Sequence, residues 1–134
     1  MKKIRDRIRQ AIDESGDKVF LRREFDRFGS RSGVNATLRK MIDEGELVRV
    51  GYGLYVPAEM GERGAYPKFF IEDFAPRALE KLGVEFRLGR AWRRYNSGES
   101  TQVPVRLILD VGRRRITRRI GFKNSVLLYE YDGR

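Results

Sequence analysis

Histidine and cysteine are both missing from this 134-residue chain, and their absence removes much chemistry at once. Without cysteine there is no disulfide framework and no thiolate nucleophile. Without histidine the commonest general base near neutral pH is gone, and with both absent so are the usual zinc ligands. Catalysis would have to rest on carboxylates, lysine, tyrosine or serine. Asp110, Glu130 and Asp132 could in principle hold a metal, but they match no recognised ligand spacing. The expectation is a protein that is not an enzyme and needs neither metal nor cofactor. Long apolar runs are lacking too. Mean hydropathy is −0.58, and no stretch approaches the ~18 residues that span a bilayer. Met1 to Arg9 is basic, but isoleucines alternate with the charges and no apolar core or cleavage site follows, so no signal peptide is expected. The expected location is the cytoplasm, with no membrane partner.

What is abundant is positive charge. Lys+Arg number 29 against 19 Asp+Glu, a formal net charge of +10. That is the electrostatic footprint of a polyanion binder. Arginine dominates the positive set, and its planar fork suits phosphates and guanine edges better than the lysine ammonium does. A merely soluble or ribosome-associated basic protein is the competing reading of charge alone.

The order of elements narrows the choice. Ile4, Ile8, Ala11 and Ile12 fall at helical spacing within Lys2 to Ser15, and Gly16 is placed to close that helix. Val19-Phe20-Leu21 suits a brief strand. Arg22 to Phe28 reads as a short helix ended by Gly29. Ser30 is a helix N-cap, and Val34, Leu38, Met41 and Ile42 give the next helix one apolar face as far as Glu44. After Gly45 the period changes to two. Leu47 to Val50 and Leu54 to Val56 then flank the tight turn Gly51-Tyr52-Gly53, and Pro57 is expected to end the unit. Helix, short segment, helix, turn, helix and hairpin make a winged helix-turn-helix by pattern.

The expected fold class is therefore α+β. It comprises a winged helix-turn-helix DNA-binding domain at residues 1–57 and a small basic α+β domain at 58–134 with a mostly antiparallel sheet. Ala58 to Ala65, with Gly61 and Gly64, reads as a linker or loop. Beyond it the pattern predicts a helix from Ala75 to Leu82 and a strand from Val84 to Leu88. A further strand has Val103, Val105, Leu107 and Leu109 on one face, and Val126 to Tyr131 predicts a terminal strand. Arg113 to Ile120 fits helix or strand spacing equally.

On the third helix the side opposite the apolar face carries Ser32, Gly33, Ala36, Arg39, Lys40 and Asp43, with Asn35 on the flank and Arg31 at the N-terminal lip. Small residues at Ser32, Gly33 and Ala36 allow a close approach to base edges. Asn35 has the groups to read adenine and Arg39 those to read guanine. Ser30, Arg31 and Ser32 at the helix N-terminus, and Lys40 further along, suit phosphate oxygens. Arg22 and Arg23 open the preceding helix and are further phosphate candidates, as are Arg49 and Tyr52 on the hairpin. An ordinary solvated helix face is the bland alternative for each.

The stretch Val19 to Phe25, then Phe28-Gly29-Ser30, Leu38 to Gly45, and Leu47 to Tyr55 resembles the N-terminal domain of AbiEi-type antitoxins of bacterial type IV toxin–antitoxin systems. The resemblance continues weakly in Ser100 to Pro104 and in Arg118 to Gly121. It implies a transcriptional autorepressor that binds repeats in its own promoter, and a second domain that counteracts a nucleotidyltransferase-like toxin.

The second half is the more basic one, with 16 Lys+Arg against 10 Asp+Glu (net +6), compared with 13 against 9 (net +4) in residues 1–57. Arg90, Arg93 and Arg94 around Trp92, and Arg113, Arg114, Arg115, Arg118 and Arg119, suggest a phosphate-facing surface. Trp92 either stacks on bases or anchors the small sheet. An RNA- or protein-binding module using this half is the alternative function. Double-stranded DNA is the expected partner, with a cognate toxin as a second, and no heptad or long apolar helix points to a dimer.

Overall fold

The computed structural model describes residues 3–132, so the helix start expected at Lys2 lies outside the described residues. The fold is mixed α+β. Its helices are α1 (Ile4–Ser15), α2 (Arg31–Asp43), α3 (Ile71–Lys81) and α4 (Arg90–Asn96), with a 3-10 helix at Arg22–Phe28. The strands are β1 (Phe20–Leu21), β2 (Leu47–Gly51), β3 (Leu54–Gly61), β4 (Gly64–Pro67), β5 (Arg87–Leu88), β6 (Ile108–Asp110), β7 (Gly121–Phe122), β8 (Ser125–Val126) and β9 (Leu128–Glu130). Every described pairing is antiparallel except that of β6 with β9. No helix among the described residues is long and apolar enough to cross a membrane.

Local chemistry sets the first elements. Gly16 takes the left-handed conformation (φ 64°) and its N–H reaches the Ile12 carbonyl, ending α1. The Ser30 hydroxyl accepts the N–H of Gly33 at 3.1 Å and so caps α2. Val34, Leu38 and Met41 are buried, and Ile42 is half-buried behind them. With Ile8, Phe20, Phe25, Leu47 and Tyr55 they form the core between α1, α2, the 3-10 helix and the sheet. Arg5 and Arg9 of α1 converge on Glu46 at the start of β2, fastening the first helix to the sheet.

The sheet is covered on both faces. β3 pairs with β1 at Leu54 and Tyr55, with β2 from Leu54 to Pro57, and with β4 from Ala58 to Gly61. Because strand side chains alternate, Leu47 and Tyr55 enter the first core while Val48, Val50, Leu54 and Val56 enter a second one. That second core adds Phe74, Ala75, Ala78 and Leu79 of α3, with Leu107, Leu109, Val111, Ile120 and Leu127 from the C-terminal third. The hairpin is thus a wall shared by two hydrophobic clusters.

Several expectations are corrected. Pro57 does not end the unit: β3 runs on to Gly61, and residues 58–65 form a hairpin with β4 rather than a linker. Pro57 pairs with Leu47 and its carbonyl accepts the Lys68 N–H, so the strand passes through it with only one donor missing. A boundary at residue 57 falls inside this strand. Helix α3 starts at Ile71, with Pro76 inside it.

Of Val84 to Leu88 only Arg87 and Leu88 pair as strand, while half-buried Val84 and Phe86 pack on the second core as irregular chain. Val103 and Val105 do not share a face with Leu107 and Leu109. They stand exposed, and pairing begins only at Ile108. The expected strand Val126 to Tyr131 is split, because the chain changes partner: Leu127 N–H bonds Ile120, and Leu128 N–H bonds Leu107. Arg113 to Ile120 takes no regular structure.

Candidate nucleic-acid interface

Three elements meet around a groove of about 540 Å³: the 3-10 helix, α2 and the tip of the β2–β3 hairpin. Its lining brings together Arg22, Arg23, Arg31, Arg39, Arg49 and Arg118, with Asn35 and Tyr52, and includes no carboxylate. Six guanidinium groups around one concavity give it a strong positive potential. Arg31, Asn35 and Arg39 arrive there because residues four apart share a helix face, and the opposite face is held inward by Val34, Leu38 and Met41.

The cations are held in different ways. Arg22 donates through Nε to the Asn35 Oδ1 at 2.5 Å and through Nη1 to Asp26 at 2.8 Å. Arg23 donates to the Lys81 carbonyl, and Arg49 to the Gly51 carbonyl of its own strand. The Arg49 guanidinium also lies over the Tyr52 ring, which is 77% exposed at the hairpin tip. Arg31 and Arg39 are exposed, and neither has a hydrogen-bond or ion-pair partner among the described residues. Ser32, Ala36 and Lys40 are exposed on α2 beside the groove without lining it. Ser30 is occupied as the cap of α2.

The second half divides. Arg118 donates to the Tyr52 carbonyl at 2.8 Å and so joins the groove. Arg119 follows it along the hairpin, its carbonyl so near Gly51 that a Cβ there would sit 2.7 Å away. Only glycine lets the two chains lie this close. Arg115 and Arg118 flank Tyr52 on the side toward α3. The arginines of α4 behave differently. Arg93 pairs with Asp110 and Asp132, Arg90 with Asp132, and Arg94 stands near Glu99. Arg87 pairs with the same two aspartates.

Asp110 is 3% exposed. Burial would raise its carboxyl, but N–H groups of Gly112 and Asp132 and the guanidiniums of Arg87 and Arg93 hold it well below the usual carboxylate range. Of the expected surface of Arg90, Arg93 and Arg94, Arg90 and Arg93 are tied to Asp110 and Asp132, while Arg90 and Arg94 remain exposed. Trp92 donates its indole N–H to the Arg106 carbonyl and meets Tyr95 edge-on, an anchoring arrangement. Glu130 accepts the Arg90 N–H. Arg114 reaches the Gly83 carbonyl. Among the described residues no group of three or more acidic side chains is arranged to hold a metal ion.

Sequence reasoning missed two things here. It separated Arg118 from the head, and it overlooked the lock beside the groove. Lys81, 10% exposed, donates to the Val19 carbonyl and pairs with Asp17 and Glu24, while Arg77 also clasps Asp17. Burial pushes the Asp17 carboxyl up, but the hydrogen bonds from Arg77 and Lys81 outweigh it and hold the group at about 2. No signal along the chain marks such a partnership between residues 57 to 64 positions apart. No protein-family profile and no curated protein sequence matches the chain.

Proposed function

We propose that this protein is a sequence-specific DNA-binding protein whose N-terminal half works as a winged helix-turn-helix. In this reading α2 enters the major groove and the β2–β3 hairpin is the wing. The observation that carries it is the groove lined by six arginines between those elements. A helix of 13 residues that exposes Arg31, Ser32, Asn35, Ala36 and Arg39 along one side has the shape and the groups for base edges. Arg22, Arg23, Arg49 and Arg118, with Ser30, Ser32 and Lys40 at the flanks of α2, take the backbone phosphates. The regulatory role that fits is a cytoplasmic transcriptional autorepressor of antitoxin type, with a cognate toxin as protein partner. That role rests on the resemblance described above, and no metal or cofactor is needed for it.

A gel shift on the DNA upstream of the protein's own gene tests the reading. Retardation at moderate salt is expected. Arg39→Ala should cost about 1–3 kcal/mol and relax the preference at one base position. No retardation, or a variant indistinguishable from the parent on specific DNA, refutes it. Arg114 and Arg115, both exposed, favour a second reading in which this half holds RNA or a protein. Ribonuclease-sensitive co-purification would support that instead.

A further inference from the structure

Beside the α2 groove the hairpin tip also borders a second hollow, of about 460 Å³, between α3 and the irregular segment from Arg113 to Ile120. That size lies within the range of roughly 300–1,000 Å³ found for small-molecule sites. Leu82, Val84 and Ile116 line it, and each is only half-buried, so apolar surface stays in contact with water there. Tyr52 forms another wall, its ring largely exposed. Two guanidiniums, those of Arg115 and Arg118, stand at the same hollow, and no carboxylate lines it. Arg118 uses one N–H on the Tyr52 carbonyl and keeps others to offer. Arg115 is exposed and has no hydrogen-bond or ion-pair partner among the described residues. A concave apolar lining with a few convergent polar groups is the usual make-up of a ligand site.

The chemistry of the lining narrows the ligand. An exposed aromatic ring beside aliphatic side chains suits a flat aromatic body, and every nucleobase has a π-face that stacks on such a ring. Two arginines without an acidic neighbour at the hollow suit a phosphate, whose oxygens match the planar fork. A base inside duplex DNA has both faces covered by its neighbours and cannot use such a site. We propose that this hollow is a nucleotide site. It takes the base of a free nucleoside monophosphate against Tyr52, Leu82, Val84 and Ile116, and Arg115 and Arg118 take its phosphate. The site does not depend on the DNA-binding reading, although a nucleotide there occupies Tyr52 and Arg118, which also line the groove.

Calorimetric titration and backbone-amide NMR of the full chain test this. The probes are adenosine, guanosine, cytidine and uridine monophosphates, with ribose phosphate as the control that lacks a base. At least one nucleotide should saturate and shift the amides of Tyr52, Val84, Ile116 and Arg118. Ribose phosphate should bind about 5- to 150-fold more weakly, the value of stacking one base. Tyr52→Ala should bring the nucleotide down to that level, and the change leaves the core untouched because this side chain is exposed. Arg115→Ala should weaken nucleotide and ribose phosphate alike, by about 10-fold or more. No saturation by any nucleotide at millimolar concentration, equal binding of ribose phosphate, or shifts centred on α2 instead, overturns the proposal. None of these outcomes touches DNA binding, which the gel shift decides separately.

Discussion

Residues 1–57 expressed alone should not fold, and the reason lies in the shared wall of the hairpin. Cutting after Pro57 strips the cover from Val19, Leu21, Val48, Val50, Leu54 and Val56, all buried in the second core. Fully burying one such side chain is worth about 1.5–3 kcal/mol, so six of them amount to roughly 9–18 kcal/mol. Contacts among themselves survive in the fragment, so about half of that is a fair figure for the loss. A 57-residue fragment at ~0.05–0.15 kcal/mol per residue commands only about 3–9 kcal/mol in total.

The cut also removes β4 from the edge of β3, and takes Lys81 away from Val19, Asp17 and Glu24. Far-ultraviolet circular dichroism and urea titration check this. The full chain is expected to show one cooperative transition and the fragment none. A monomeric fragment with native helix content and its own sigmoidal transition would refute the reasoning.

Other consequences are of the same kind. Lys81→Met should destabilise the chain by about 1.5–3 kcal/mol, the usual value of hydrogen bonds to a charged group. It should be read as a lower urea midpoint at unchanged slope. Arg118→Ala should weaken binding to all DNA sequences alike and lower the slope of log K against log salt by about 0.9, one phosphate contact. A loss confined to one sequence would contradict the place assigned to it.

Acid should destabilise the chain through carboxylates held by arginine and lysine, two of which lie outside the Asp110 cluster. Hydrogen bonds from Arg9 outweigh burial at Glu46 and, with those from Arg5, hold it at about 2, and Asp17 also sits at about 2. Both lie below their ordinary values, so the stability they contribute is complete above about pH 4.5 and is lost as pH falls toward 2. It amounts to something on the order of 2 kcal/mol each. Glu46→Gln should flatten the stability profile across that window relative to the parent, as followed by thermal melts at fixed ionic strength.

The sequence by itself determined the elements whose causes are local. The hydroxyl at Ser30 caps α2, Gly16 ends α1, and the i, i+4, i+7 spacing of Val34, Leu38 and Met41 decides which side of α2 is left for a ligand. The mixed α+β class, the hairpin around Tyr52 and the candidate residues on α2 were legible for that reason. Tertiary structure decided whatever depends on distant partners. Strand β3 continues past Pro57 because β4 and Lys68 supply its hydrogen bonds, and the terminal strand breaks at Leu127 because Ile120 and Leu107 claim neighbouring N–H groups.

The arginines show the difference most clearly, since an arginine's sequence neighbours do not reveal whether a carboxylate awaits it. Arg93 is drawn into a knot with Asp110 and Asp132, while Arg118 is delivered across 66 positions to the Tyr52 carbonyl at the hairpin tip. Charge counts gave the second half a general basic surface. Packing assigned part of that charge to holding the fold and placed Arg118 in the groove beside α2.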